Sequence, residues 1–451
     1  MITVLQTLGM LALTLGIVVT VHEFGHFWVA RRCGVKVLKF SVGFGRAIWS
    51  RTARDGVEYS IGMLPLGGYV KMLDERETPV EGALKEQAFN NRPVSQRIAI
   101  AAAGPLANFL LAIFIYFCLF WAGERGLAPV IGAVTPGSLA EMAALEAGQE
   151  IVAIDGVDTP TWQSVNFRLL ERLGDTGYLE LAATYPPSER IYNSSVYLNR
   201  WLVGEEEPQL IQAFGIAPIS PDIVPIVGSL LDDGAAQAAG VQVGDQITAI
   251  DGQPIALWDE LVDVIRDRPD ERLVLSLLRD GVPIEINVVV GRALSDGVSY
   301  GQLGIGVQPP AWPEDMIRTI DRGPVEALGA ALARTSELIS FTLESLRKML
   351  EGLISPKNLS GPITIAKVAT ATAESGFESY FGFIALLSVS LGVLNLLPIP
   401  ILDGGHIMYY VIEWVSGRPV SERVQIIGYQ IGLFLVSCLM VFALYNDVAR
   451  L

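Results

Sequence analysis

Residues 1–30 read MITVLQTLGMLALTLGIVVTVHEFGHFWVA. The first 21 carry no charge and the apolar pattern runs on to Ala30, long enough to cross about 30 Å of hydrocarbon as a helix. Inside this stretch lies His22-Glu23-Phe24-Gly25-His26. On a helix, positions i and i+4 share one face, so both imidazoles can reach a single metal ion with Glu23 beside them. Two zinc ligands and a general base is the chemistry that the HExxH spacing serves in metalloproteases. Ionisable side chains at membrane depth are costly and mark function. A signal peptide is the bland alternative. It is opposed by the lack of Lys or Arg ahead of the apolar run, and by the basic pair Arg31-Arg32 behind it.

Three more stretches are long and apolar enough to span: 98–123, 379–402 and 424–446. The predicted fold is therefore a multi-span α-helical membrane protein with four transmembrane helices. Composition agrees. Of 451 residues, 51% are hydrophobic and only 18% charged, against about a quarter charged in soluble chains. Mean hydropathy is +0.42. A net charge of -16 excludes a generally basic nucleic-acid binder, so no nucleic-acid partner is expected. Cys33, Cys118 and Cys438 lie too far apart for a disulfide framework. Residues 31–97 hold 12 Lys and Arg against 7 Asp and Glu, whereas 122–380 hold 17 against 36. Basic loops stay in the cytoplasm. Residues 31–97 are thus expected inside, with both termini and the acidic insert outside.

The insert repeats itself. Pro129-Val130-Ile131-Gly132 recurs 96 residues on as Pro225-Ile226-Val227-Gly228, Ile151-Val152-Ala153-Ile154-Asp155-Gly156 as Ile247-Thr248-Ala249-Ile250-Asp251-Gly252, and Trp162 as Trp258. Each unit reads as short apolar strands (151–154, 247–250), an Asp-Gly turn and a helix (164–172, 257–266), with return strands at 273–278 and 284–290. The units resemble PDZ domains, the second more closely than the first. Their last strands carry Phe214-Gly215-Ile216-Ala217 and Leu303-Gly304-Ile305-Gly306. Ile216 and Ile305 thus mark candidate peptide-binding strands, where a ligand carboxylate meets backbone N–H groups. That loop comes last in each unit, which suggests circular permutation. Residues 324–353 carry a helical apolar stripe through Val325, Leu328, Leu332, Ile339, Leu343, Leu346, Leu350 and Leu353. It suits either the outer membrane surface or the second repeat.

A catalytic zinc needs a third protein ligand and an open position. His406 and Asp403 are the candidates, in Leu402-Asp403-Gly404-Gly405-His406. Upstream, Pro398 and Pro400 break the helix at membrane depth, where broken backbone survives only beside protein or a water-filled cavity.

The first-span HExxH, together with Asn395-x-x-Pro398-x-Pro400-x-x-Asp403-Gly404-Gly405, resembles the site-2 protease family of intramembrane zinc proteases. The two-unit insert has the layout of its bacterial sigma-E-regulating branch. The resemblance implies His22, His26 and Asp403 as ligands of one Zn2+ and Glu23 as catalytic base. His406 then stands behind the ligands. Asn395 and Pro398 would meet the substrate, and Gly404-Gly405 would allow close approach near the metal. Residues 40–69 alternate apolar and polar, with Gly43-Phe44-Gly45, Asp55-Gly56 and Gly67-Gly68 read as turns. The resemblance implies a membrane-dipping β hairpin here, whose edge would pair with an unwound substrate, so Gly43, Phe44 and Gly45 are expected to bind it. The implied substrates are single-span membrane proteins within the lipid bilayer: an anti-sigma factor already trimmed outside, and remnant signal peptides. The implied location is the bacterial inner membrane.

The expected divisions are 1–31 as span one, 32–97 as the β region, 98–123 as span two, 126–220 and 221–310 as the two PDZ-like units, 311–378 as an amphipathic helix and connector, 379–414 as span three and 424–446 as span four. Two other functions fit the sequence less well. A PDZ adaptor with a relict site sits poorly with an intact Glu23 and Asp403. A metal transporter lacks ligands for a permeation path and shows no paired inverted repeats.

Overall fold

The computed structural model describes residues 2–76, 81–206, 208–232, 234–295, 298–308 and 312–449. Helix α1 (Ile2–Arg32) is uninterrupted, as an apolar run without proline allows. Strands β1 (Val37–Thr52) and β2 (Glu58–Met72) follow. Both are too long to stay flat. Lys39 lies opposite both Lys71 and Glu58, so each strand bends back and the pair forms four ladder segments, in the order 68–72, 37–42, 58–62, 47–52. The bend in β1 falls at Gly43 and Gly45, with φ of +89° and +85°, a region costly for residues with a Cβ. This corrects the expected simple hairpin: Gly43-Phe44-Gly45 is a corner within one strand, and Gly67-Gly68 lies inside β2. The sheet is anchored to α1 by Phe27 against Phe40 and Tyr59.

Helix α2 (Val94–Ala122) returns along α1 and leads into β3 (Glu124–Leu127). The first unit comprises β4 (Ile131–Val134), α3 (Leu139–Met142), β5 (Glu150–Ile154), β6 (Val157–Asp158), α4 (Trp162–Glu171), β7 (Gly177–Thr184), β8 (Tyr192–Leu198), α5 (Leu210–Phe214) and β9 (Ile216–Pro218). Its sheet runs β6-β5-β7-β8, and β4 pairs with β9. The second unit repeats this with β10 (Val227–Leu230), α6 (Ala235–Ala239), β11 (Gln246–Ile250), β12 (Gln253–Pro254), α7 (Trp258–Arg266), β13 (Arg272–Arg279), β14 (Val282–Val289), a hairpin of β15 (Gly291–Ser295) and β16 (Val298–Gln302), and β17 (Ile305–Val307). Its sheet runs β12-β11-β13-β14, with β10 against β17.

The repeat reaches the side chains. Asp155 and Asp251 have φ of 50° and 48°, each ahead of a positive-φ glycine, as a primed hairpin turn requires. Each accepts from the backbone of the third strand, Glu180 N or Val274 N, and from an arginine, Arg172 or Arg268.

Strand β18 (Ile317–Ile320) pairs with β3 and closes the insert beside its entry. Helix α8 (Pro324–Leu350) then packs on the membrane helices. Its buried face is Ala327, Ala331, Thr335 and Leu338, so small residues set the contact, while Val325 and Leu350 of the expected stripe stay exposed. It does not pack on the second unit as one expectation had it; it joins the first. Buried Lys348 donates to the carbonyls of Glu171 and Leu173, Arg168 pairs with Glu337, and Arg334 lies over the Phe167 ring.

Helices α9 (Pro362–Glu374), α10 (Phe377–Leu396), α11 (Asp403–Ser416) and α12 (Glu422–Ala449) complete the chain. The expected third span over 379–414 is thus corrected: prolines 398 and 400 end α10 at Leu396, and Asp403 opens a separate helix. Among the described residues four helices are long and apolar enough to cross a membrane: α1, α2, α10 and α12.

Most of α12 is exposed, and its far end is latched. Buried Asp447 accepts from the N–H groups of Gly361, Ile363 and Thr364 and from the Thr364 hydroxyl, capping α9 from another helix. Asn446 donates to the carbonyls of Pro356 and Leu359. Asp447→Ala should cost about 1–2 kcal/mol, the value of a lost helix cap, and should speed proteolysis between α11 and α12. An unchanged melting midpoint and digestion pattern would contradict this latch.

Candidate active site and metal centre

The site begins with a close helix crossing. A Cβ on Gly25 of α1 would lie 2.3 Å from the Ala103 carbonyl oxygen of α2. A Cβ on Gly104 of α2 would lie 2.3 Å from His26 Nε2 and 2.8 Å from His22 Cε1. Only glycine at these positions lets α2 pass over the two imidazoles. Both imidazoles are buried.

From the other side comes Asp403, the first residue of α11. Its Oδ2 lies 3.1 Å from His22 Nε2 and 3.4 Å from His26 Nε2, and the two Nε2 atoms are 3.3 Å apart. His26 Nδ1 is 2.8 Å from the Ile100 carbonyl oxygen. A carbonyl only accepts, so Nδ1 carries a proton, and Nε2 is the nitrogen that faces the cluster. Among the described residues Asp403 Oδ2 is buried with no hydrogen-bond partner besides the two imidazoles. Two imidazole nitrogens and a carboxylate oxygen converging in this way are a donor set that suits a cation. Tetrahedral bonds of about 2.0–2.1 Å place ligand atoms roughly 3.3–3.4 Å apart, and the observed separations fit that spacing. Among the described residues this is the one group of three His, Cys, Asp or Glu side chains close enough to hold a metal.

Glu23 stands outside the cluster, one position along α1 from His22. Its Cγ would lie 2.9 Å from a Cβ on Gly68. Gly68 belongs to segment 68–72, whose inner edge pairs with β1 through Gly68↔Val42 and Tyr69↔Ser41. Its outer edge has no partner strand among the described residues. An unpaired strand edge thus runs past the acid side chain. Phe44 stacks on Tyr69 with its ring 6.5 Å away, so the Gly43–Gly45 corner supports that edge from behind.

His406 does not join the cluster. It is exposed, and its ring stacks along Tyr410. Asn395 is half-buried in the last turn of α10, with no side-chain hydrogen bond among the described residues, and Pro398 is exposed. Gly404 and Gly405 serve differently from expectation. Their absent Cβ atoms would strike the carbonyls of Leu396, Leu397 and Ile399, so they let α11 fold back on the broken segment and bring Asp403 to the histidines. The Ile216 side chain is buried in the core of the first unit, so a ligand at this expected binding strand would meet its backbone. Ile305 is half-buried against the second core.

Gly104 and Asn108 lie in the family-like run Gly104-Pro105-Leu106-Ala107-Asn108 of the second span and Gly68 in the Gly67-Gly68 pair, yet the sequence placed none of the three beside the metal ligands or Glu23. The clearest signal was at Asn108, a polar residue within an uncharged span. Gly104→Ala would force a methyl into His26. Overpacking of this kind costs about 1–3 kcal/mol, and the variant should bind zinc at least about tenfold more weakly. Retained affinity in a chelator competition would contradict the crossing as the device that sets the site.

Comparison with known proteins places the chain. Residues 10–439 match peptidase family M50. The regulator of sigma-E protease RseP of Salmonella typhimurium is 43% identical over 451 residues, covering all of both chains. Its Escherichia coli counterpart is 42% identical over the same length. A putative zinc metalloprotease of Vibrio cholerae is 43% identical over 443 residues, 97% of each chain. A solved PDZ domain of an SdrC-like protein from Listeria monocytogenes aligns with 20% of this chain and 93% of its own, at 23% identity and a TM-score of 0.17. With the family match running through nearly the whole sequence, this chain belongs to peptidase family M50, the site-2 proteases.

Proposed function

We propose that the protein is an intramembrane zinc endopeptidase with one zinc held by His22, His26 and Asp403. The observation that carries the reading is the convergence of three buried ligand atoms, 3.1–3.4 Å apart, at the crossing of apolar helices. Zinc, when bound, supplies Lewis-acid activation of water and of the scissile carbonyl. Glu23 accepts the proton of the attacking water and returns it to the leaving amine. A transmembrane substrate hides its amides in its own helix and must unwind. The free edge of 68–72 offers replacement backbone bonds beside Glu23. The Asn395 amide, which has no hydrogen-bond partner among the described residues, suits the substrate backbone. Substrates are single-span membrane proteins. The sigma-E-regulating names of the relatives favour a trimmed anti-sigma factor in an inner-membrane stress response; remnant signal peptides suit the same site.

The PDZ-like units gate access, and their carboxylate loops differ. In the first unit the Gly215 N–H is spent on the carbonyls of Gln212 and Ile211, closing α5. In the second, the Leu303 and Gly304 N–H groups meet no acceptor among the described residues, while Gly304 O takes the Leu231 N–H. Peptide C-termini therefore belong to the second unit in this reading.

Glu23→Gln should keep zinc and lower cleavage of a single-span substrate by about 10²–10⁴-fold. Near-parental cleavage would end the assignment. Loss of zinc in His22→Ala and Asp403→Ala, with retention in His406→Ala, checks the ligand set. Removing residues 129–308 should admit substrates with folded outer domains; continued rejection by a deletion still active on short substrates would end the gate. For topology, single cysteines at Arg54 and Asp280 in a chain without Cys33, Cys118 and Cys438 should label from opposite sides. Labelling from one side would overturn it.

A further inference from the structure

We propose that Asn108 is a positioning residue for the metal: its side-chain oxygen accepts the Nδ1 proton of His22 and so aims Nε2 at the ion. The inference rests on the zinc reading above and extends it to a residue that binds neither metal nor substrate.

The Asn108 side chain is fully buried in α2. Its Nδ2 lies 3.3 Å from His22 Nδ1. Its Oδ1 is buried with no hydrogen-bond partner among the described residues. If His22 offers the Nε2 lone pair to a metal, its Nδ1 must carry the hydrogen. An amide NH2 set against that N–H is two donors face to face, with the acceptor idle. The two ends of an amide have nearly the same shape, and which end is oxygen follows from the hydrogen bonds it must make. Half a turn about the amide bond to Cβ places Oδ1 against the His22 N–H, at the same separation and with no other movement.

The neighbouring ligand follows the same pattern. His26 Nδ1 meets the Ile100 carbonyl oxygen, also on α2. Ile100, Gly104 and Asn108 are four residues apart and form one ridge of that helix. The ridge thus supplies an oxygen for each imidazole, with the gap that admits both rings between them. An oxygen behind a liganding histidine fixes its tautomer and raises its basicity. Asn108 is itself fixed: the Ser388 hydroxyl of α10 donates to its backbone carbonyl at 2.8 Å. Helix α10 leads through the broken segment to Asp403, so Asn108 sits where the supports of all three ligands meet.

The test is zinc affinity of the purified full-length chain, by competition with a chromogenic chelator. Asn108→Leu keeps the volume and loses both polar atoms; affinity should fall about 10–100-fold, the usual loss for such supports. Asn108→Asp presents only acceptors and should stay within about threefold of the parent. Ser388→Ala removes the backbone contact alone and should also keep its zinc. Equal losses in Asn108→Asp and Asn108→Leu would show that the amide is needed as a donor and overturn the proposal. Unchanged affinity in Asn108→Leu would overturn it as well. A loss in Ser388→Ala matching that of Asn108→Leu would assign the effect to packing. Should Asn108→Leu fail to fold, Asn108→Asp decides, with a loss of tenfold or more against the proposal. A parent chain without zinc overturns the zinc reading itself, an outcome distinct from all of these.

Discussion

The closest approach of α1 to α2 governs the rest of the molecule. Gly25 admits the Ala103 carbonyl, and Gly104 admits the edges of His26 and His22. Helices this near leave no lipid or bulky side chain between them, so two polar rings sit buried among apolar helices with their Nε2 atoms turned inward. Such groups are expensive unless paired. The cost is offset by Asp403 from one side and, at His26, by the Ile100 carbonyl oxygen of α2 from the other. Every other device in the membrane part serves to bring a third ligand to that crossing. Prolines 398 and 400 interrupt the helix, Gly404 and Gly405 let α11 fold tightly back, and Asp403 opens the new helix.

The insert follows a different logic. Two repeats, matched to the same register through turn, arginine and helix, are each built on their own hydrophobic core. They are attached unequally. Lys348, Arg168 and Phe167 bind the first unit to α8, and α8 lies against α2 and α10. The first unit is thereby an extension of the catalytic helices. The second carries the open carboxylate loop. If the two units gate access as proposed, the first would be the fixed wall and the second the face that responds to a ligand.

The membrane part was legible because length and the i, i+4 spacing are strong signals. HExxH, the proline pair and the Asp-Gly-Gly run named the three residues that the fold brings together. The 96-residue offset was legible for the same reason, since register in a repeat is a chain-local property. What escaped the sequence was long-range. Whether His406 or Asp403 completes the cluster depends on how a helix restarts after a break, and no local pattern encodes that. The strand at Ile216 was legible, but that pairing with β4 turns its side chain into the core was not. Gly43 and Gly45 signalled positive φ correctly, but a corner and a turn use glycine alike, and only pairing of β1 on both sides separates them. Gly68 and Gly104 matter for what their missing side chains would strike, which is invisible until two elements meet.

X-ray absorption at the zinc edge of the purified, loaded chain tests the central claim most directly. The account predicts nitrogen and oxygen neighbours alone at about 2.0–2.1 Å, with outer-shell scattering from two imidazoles. A sulfur shell near about 2.3 Å, or scattering from three imidazoles, would contradict it.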